Sequence, residues 1–377
     1  MDDIRVLIVD DSALMRSLIG KIVENTPGLA VADKAMNGKF ALQKLERVKP
    51  DIIVLDLEMP EMNGVEFLRE RKRLNIDIPV IVLSSIAKEG ARVTMECLEL
   101  GASDFVTKPS GSESANLASV ANQLVEFLQA YGKRYQLKKH AGVAKPIAAS
   151  SIQPHMPPVH QERPVEPVQE AKPAGGKVTQ MQKPGNIEII AIGISTGGPN
   201  ALREVFAELD PDLPQPIVVV QHMPPGFTYE FANSLNKICP LEVKEAQEGD
   251  LVKKGRILIA QGGKHLIVEK KPLSSIAHIS DAAPQSGHKP SADVLFSSIA
   301  EQFRNHALGI IMTGMGKDGA ASITRLYQEG SRTIGQDEAS AVVYGMPRVA
   351  YEMGGIMEQV SLKNMAAAIN RYGKEFR

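Results

Sequence analysis

Short apolar runs alternate along the chain with segments whose apolar positions recur every three or four residues. In the first third the runs fall at residues 5–9, 52–55, 80–83 and 105–106, with a weaker one at 30–34. Between them, residues 12–24 and 38–48 carry the helical spacing. Strands buried on both faces read as continuous apolar runs, and alternation with helices predicts a parallel, doubly wound sheet. From residue 187 onward the same grammar returns. Runs at 187–194, 217–221, 257–260 and 308–312 predict buried strands, and 201–209, 292–303 and 320–328 predict helices. Residues 265–268 and 276–279 predict a shorter antiparallel excursion. No internal repeat connects the two halves.

Between the halves the pattern lapses. Eight prolines lie between Lys138 and Asn186: Pro146, Pro154, Pro157, Pro158, Pro164, Pro167, Pro173 and Pro184. With Gln, Ala, Lys and Gly around them and few large apolar residues, this stretch cannot bury enough surface to offset ordering entropy. The expected organisation is α/β throughout: two doubly wound parallel-sheet domains at 1–135 and 187–377, joined by a proline-rich linker at 136–186.

Composition narrows the function. The 377 residues carry 43 Lys+Arg against 44 Asp+Glu, a formal net charge of −1. Proteins that bind by neutralising nucleic-acid phosphates concentrate basic residues, so nucleic acid is not an expected partner. There is no Trp and aromatics are 5%, which argues against stacking platforms for single strands. Two cysteines, Cys97 and Cys239, exclude a disulfide framework and a CxxC metal cluster, and a reducing compartment is expected. No apolar run approaches the roughly 20 residues of a membrane helix. Asp2 and Asp3 stand where a signal peptide would be basic. A cytoplasmic protein without membrane insertion is the expectation.

Polar residues gather at the predicted strand ends of the first half. Asp10 and Asp11 follow the first strand, Asp56 the third, Ser84 and Ser85 the fourth, and Lys108 the fifth. Open parallel sheets bind ligands at the carboxyl ends of their strands. Singly, these residues have lesser roles: Asp10 or Asp11 can cap a helix, Asp56 can serve a turn, and Lys108-Pro109 can be a loop. Together they place three carboxylates, a hydroxyl and an ammonium in one crevice. A hard cation such as Mg²⁺ relieves the repulsion, and a carboxylate beside it can attack a phosphoryl group.

In the second half, the strand ending at Ile194 runs into Gly193-Ile194-Ser195-Thr196-Gly197-Gly198-Pro199. This contains G-x-S-x-G, which puts a serine on a sharp strand-to-helix turn. A phosphate-binding loop is the competing reading, although G-x-G-x-x-G spacing is absent. A serine nucleophile needs a base, and His222 ends the 217–221 run. Its rivals are His265, His278, His306 and above all His288. An orienting carboxylate is available in Asp318, on the loop Thr313-Gly314-Met315-Gly316-Lys317-Asp318-Gly319, though Asp318 could merely cap the following helix. Asp281, Asp293 and Asp337 are weaker candidates. Backbone N–H groups near Met315 and Thr196 are candidate oxyanion donors.

These motifs carry a family resemblance. Residues 1 to about 125 resemble a response-regulator receiver domain, through Asp10-Asp11, Leu55-Asp56-Leu57-Glu58-Met59-Pro60, Ser84 and Lys108-Pro109 after Gly101-Ala102-Ser103-Asp104-Phe105. Residues 187–370 resemble the catalytic domain of the chemotaxis protein-glutamate methylesterases. The matching segments are the Ser195 loop, Gln221-His222-Met223-Pro224-Pro225-Gly226-Phe227-Thr228, Lys289-Pro290-Ser291-Ala292-Asp293 and the Asp318 loop.

The resemblance implies a flavodoxin-like receiver and a Rossmann-like methylesterase. Asp56 would accept phosphate from a chemotaxis histidine kinase, and Asp10, Asp11 and Asp56 would hold Mg²⁺. Ser84 and Lys108 would contact the phosphoryl group, with Ser85 adjacent to Ser84, and Phe105 would reorient with it. Ser195, His222 and Asp318 would hydrolyse glutamate γ-methyl esters, and deamidate glutamines, on cytoplasmic helices of methyl-accepting chemoreceptors, with no cofactor in that half. The unphosphorylated receiver would block the catalytic crevice. Two other readings stay open: a phosphorylation-gated scaffold whose Ser195 loop binds an anion, and a serine esterase for a different ester.

Overall fold

The computed structural model describes residues 2–85, 88–108, 114–141 and 178–377. The first half contains β1 (Ile4–Val9), α1 (Ala13–Glu24), β2 (Leu29–Ala35), α2 (Gly38–Val48), β3 (Ile52–Asp56), α3 (Gly64–Arg73), β4 (Val80–Ser84), α4 (Lys88–Glu99), β5 (Asp104–Thr107) and α5 (Ser114–Ala141). Its five parallel strands run in the order β2-β1-β3-β4-β5, the flavodoxin-like arrangement. Every residue of β3 and β4 is buried, as their unbroken apolar runs require. Helix starts are set by short polar side chains. The Ser12 hydroxyl accepts from Met15 N–H, and Asn63 and Glu66 form a reciprocal capping box at α3.

The second half contains β6 (Ile189–Ile194), α6 (Gly198–Ala207), β7 (Ile217–Gln221), α7 (Phe227–Asn236), β8 (Glu242–Glu245), β9 (Leu251–Val252), β10 (Arg256–Ile259), β11 (His265–Lys270), β12 (Ser275–Ser280), α8 (Ala292–Phe303), β13 (Ala307–Ile311), α9 (Ala320–Gln328), β14 (Arg332–Gln336), α10 (Met346–Glu352), β15 (Glu358–Val360) and α11 (Leu362–Glu375). Seven parallel strands run in the order β15-β14-β13-β6-β7-β10-β8. The strand order reverses at β6, and the adjacent strands β13, β6 and β7 form the centre of the sheet. The predicted antiparallel excursion is β11-β12, to which β9 adds a third strand. Helix α6 begins at Gly198 rather than at 201, because Pro199 fits the first turn, where no N–H is needed.

The described structure enters the stretch expected as linker, 136–186, from both ends. Helix α5 continues to Ala141, where Gln136 and Lys139 reach Asp51 and Lys138 reaches Asp77. At the other end, Met181 and Gly185 donate backbone hydrogen bonds to Gln328 and Asn305. Residues 142–177, with seven of the eight prolines, lie outside the described residues, as does Pro109.

The two sheets are packed together. One buried apolar cluster joins Met95, Leu98 and Phe105 of the first half to Phe227, Phe231 and Leu235 of the second. No helix among the described residues is long and apolar enough to cross a membrane.

Candidate functional site

Ser195, His222 and Asp318 follow β6, β7 and β13, three neighbouring strands, so the sheet itself sets their side chains at one crevice. The Ser195 Oγ lies 3.1 Å from His222 Nδ1, and His222 Nε2 lies 2.8 Å from Asp318 Oδ2. A carboxylate only accepts, so Nε2 carries the ring proton and Nδ1 presents its lone pair to the serine hydroxyl.

Asp318 does not cap the helix that follows it, since α9 has no side-chain cap. Its carboxylate accepts instead from Ser291 Oγ (2.7 Å), Ala292 N–H (2.6 Å) and Asp293 N–H (3.2 Å), at the start of α8. Burial alone would raise its pKa. The hydrogen bond and charge of His222, with the bonds from Ser291 and Ala292, outweigh burial and hold the pKa down at about 2. Asp318 is thus held in its ionised form.

Glycine makes the Ser195 turn possible. Gly197 adopts φ +79°, and a Cβ there would lie 2.7 Å from Val342. A Cβ at Gly314 would lie 2.8 Å from the Ser195 Cβ. The N–H groups of Thr196 and Met315 form no hydrogen bond among the described residues, and both residues line the crevice.

The rival histidines are elsewhere, with one exception. His265 Nε2 meets the Ala283 carbonyl, His278 lies between Glu248 and Glu269, and His306 meets the Asn186 carbonyl. His288 stacks on His222, with ring centres 3.9 Å apart and planes 9° apart. Burial and the neighbouring His222 push the His288 pKa down, so a neutral ring covers one face of His222. Of the rival carboxylates, Asp281 pairs with Lys264 and Lys289, Asp293 accepts from Ser286 and Ser322, and Asp337 accepts from Ser340.

The first half's crevice is also assembled at strand ends. Carboxylate oxygens of Asp10, Asp11 and Asp56 lie within 4.8 Å of one another. Lys108 Nζ is 2.6 Å from Asp56 and 3.9 Å from Asp10. Burial and the charge of Asp56 raise the Asp10 pKa to about 6, and Asp10 Oδ2 is buried without a hydrogen-bond partner among the described residues. An orphaned acceptor among three carboxylates fits a hard divalent cation. Ser84 is turned away: its hydroxyl accepts from Thr94 Oγ1 at 2.6 Å, while Ser85 lines the cavity beside Asp56.

Between the two crevices runs a contact that joins the two halves. A cavity of about 660 Å³ is walled by Ser195, His222, His288 and Met315 on one side and by Asp104, Phe105 and Glu126 on the other. Phe105 stacks on Phe227, ring centres 4.8 Å apart. Asn200 donates to the carbonyls of Ala102 and Ser103, and Ser234 to Glu99. Arg134 donates to the carbonyls of Ser340 and Ala341.

Comparison with known proteins accords with this division. Residues 6–119 match the family model for the response regulator receiver domain, and residues 190–369 match that for the CheB methylesterase. A protein-glutamate methylesterase/protein-glutamine glutaminase of Treponema denticola is 70% identical over 378 residues, covering 100% of both chains. Its Treponema pallidum counterpart is 58% identical, covering 100% of this chain and 98% of that one. The crystal structure of the Thermotoga maritima CheB methylesterase catalytic domain is 34% identical, covering 49% of this chain and 98% of that one, with a TM-score of 0.48. The chain therefore belongs to the family of protein-glutamate methylesterases/protein-glutamine glutaminases, chemotaxis enzymes that carry a response-regulator receiver ahead of the esterase domain.

Proposed function

We propose that Ser195, His222 and Asp318 are the nucleophile, base and orienter of this methylesterase, acting on glutamate γ-methyl esters of methyl-accepting chemoreceptors. The observation that carries the assignment is the unbroken row Ser195 Oγ, His222 Nδ1, His222 Nε2, Asp318 Oδ2, with links of 3.1 and 2.8 Å. Ser195 Oγ attacks the acyl carbon as its proton passes to Nδ1. Asp318 supports the imidazolium that forms. The N–H groups of Met315 and Thr196 are free to receive the oxyanion. Nδ1 then returns the proton to the leaving methanol, or to ammonia when the substrate is a glutamine. Water, deprotonated through the same nitrogen, releases the glutamate and restores Ser195. The residues of this half need no cofactor for these steps.

The receiver, bounded near residues 1–135, takes phosphate on Asp56 from a chemotaxis histidine kinase. Asp10, Asp11 and Asp56 would hold Mg²⁺, which supplies positive charge against the incoming phosphoryl group. Lys108 supplies a second cation 2.6 Å from Asp56. The packing of Phe105 and Asp104 against the Ser195 side of the second sheet supports a blocked, unphosphorylated state. Phosphorylation would favour the parted state through differential contacts of a few kcal/mol. A cytoplasmic setting, with the receptor's helices as the substrate surface, follows from the same reading.

The test is methanol release from methylated receptor, with and without a small phosphodonor. Release that depends on Ser195 and rises with the phosphodonor supports the proposal. Release untouched by Ser195→Ala overturns it.

A further inference from the structure

At the carboxyl end of the central strand pair, the last ladder bond runs from His222 N–H to the Ile194 carbonyl at 3.2 Å. Beyond it the chains carrying Ser195 and His222 part company, which opens the crevice. The last residue of β7, Gln221, lies at this fork and is 2% exposed. Its Nε2 donates to the carbonyl of Ser195 and to the carbonyl of His222, both at 3.1 Å. One amide group thus bridges the backbones of the two residues that directly follow β6 and β7. The other end of the amide, Oε1, is buried and finds no partner among the described residues. An unsatisfied buried acceptor is costly, so the glutamine's favourable contacts here are those of its two donors. Gly198 makes room for it, since a Cβ there would collide with Oε1.

We infer that Gln221 is a positioning residue for catalysis, an amide tie that sets the separation of Ser195 Oγ and His222 Nδ1 through their main chains. It touches neither substrate nor the reacting atoms. The inference rests on the nucleophile and base proposed above. Without the tie, the ladder behind them is the one direct main-chain link between the two backbones among the described residues, and the 3.1 Å contact between hydroxyl and imidazole is held less tightly. Other constraints act on the same loop: Ser195 N–H donates to the Thr313 carbonyl, Gly198 N–H to the Ser195 carbonyl, Thr313 Oγ1 to the Thr196 carbonyl and Gly197 N–H to Asp104. Each holds the serine loop, and none reaches His222.

The test uses the full chain, activated with a small phosphodonor, in four forms: Gln221→Met, which keeps length and loses both donors, Gln221→Glu, which keeps shape and turns donors into acceptors, Gly198→Ala, which pushes the amide out of place, and Gly198→Ala combined with Gln221→Met. The readouts are kcat and KM on methylated receptor, the rate at which a small organophosphonate labels Ser195, and the thermal midpoint. Gln221→Met is expected to lower kcat and the labelling rate by about 10- to 100-fold, the scale of a small misplacement of reacting groups, with KM near that of the parent. Gln221→Glu is expected to do at least as much. Gly198→Ala combined with Gln221→Met is expected to be no worse than Gln221→Met alone, since both act through one tie. Unchanged kcat and labelling in Gln221→Met, with only the thermal midpoint lowered, would show mere packing and overturn the inference. Should the phosphonate label a residue other than Ser195 in the parent chain, the nucleophile assignment fails instead.

Discussion

Asp104 Oδ2 accepts a hydrogen bond from Gly197 N–H at 3.0 Å, across the boundary between the two sheets. The carboxylate belongs to the receiver strand β5, next to Phe105. The amide belongs to the loop of Ser195, at the start of α6, a helix whose N-cap glycine has no side chain of its own to offer. Tyr131 O–H donates to the same oxygen at 3.0 Å. The receiver therefore caps a helix of the esterase, two residues from the proposed nucleophile.

Removing this cap loosens the docked state. Asp104→Ala leaves Gly197 N–H unsatisfied in a buried interface, a cost of about 1–3 kcal/mol. That is roughly 5- to 150-fold in the docking equilibrium. Esterase activity without phosphodonor is expected to rise accordingly, and the ratio of stimulated to basal activity to fall. Basal activity at or below that of the parent would separate this contact from inhibition.

The same carboxylate gives docking a pH dependence. Burial raises the Asp104 pKa to about 6 against the weaker pull of its three hydrogen bonds. A group whose pKa is raised in the docked state favours that state below its free value, near 4. The contribution is lost as pH climbs through about 6. Basal activity of the parent relative to Asp104→Asn, which keeps an acceptor for Gly197 but cannot ionise, is expected to increase between roughly pH 4 and 6. A flat ratio across that range contradicts the assignment.

Phe105 is held by aromatic stacking on Phe227. Phe105→Leu keeps an apolar side chain of similar reach and forfeits the stack, worth about 0.5–1.5 kcal/mol. Basal activity should increase by roughly 2- to 13-fold, with the receiver still phosphorylated on Asp56. A variant with parental basal activity would place the inhibitory contacts elsewhere.

For the catalytic row, Ser195→Ala is expected to cut turnover by about 10⁴-fold or more, and Asp318→Asn by about 10³- to 10⁴-fold through loss of the correct imidazole tautomer. Asp318 also carries a stability signature. Its depressed pKa means that its contribution is present above the ordinary carboxylate value and fades as pH falls from about 4 toward 2. Acid unfolding followed by circular dichroism should lose that segment in Asp318→Asn. If the substitution changes only the unfolding curve and leaves kcat intact, Asp318 is structural.

The Ser84 and Ser85 pair can be separated by response to phosphodonor. Contact of Ser84 with the phosphoryl group requires its hydroxyl to leave Thr94 on α4, so phosphorylation would be felt in that helix, which packs against α7. Ser84→Ala is expected to blunt activation far more than Ser85→Ala. The opposite ranking gives the contact to Ser85, which already faces Asp56.

Most of the central strands were legible because burial on both faces leaves an unmistakable run, as in Ile217–Gln221. The residues at their ends were legible for the same reason, since a parallel sheet gathers its carboxyl termini. Strands β8 and β14 were not, because Glu-Val-Lys-Glu and Arg-Thr-Ile-Gly-Gln mix polar residues and glycine into short edge or near-edge positions. The role of Asp104 was hidden because its partner amide lies on the other sheet. The turning of Ser84 toward Thr94 is a rotamer choice, which no spacing reveals. Gln221 read as the last residue of a strand, and only the fork between two chains shows what its amide spans.

The apolar cluster shared by the two sheets ties their fates together. While Phe105, Met95 and Leu98 sit among Phe227, Phe231 and Leu235, neither half can melt without exposing part of the other's core. Scanning calorimetry of the resting protein should then record a single heat-absorption peak. A chain parted by the phosphodonor should record two, so that the signal which releases the enzyme also dissolves its cooperativity.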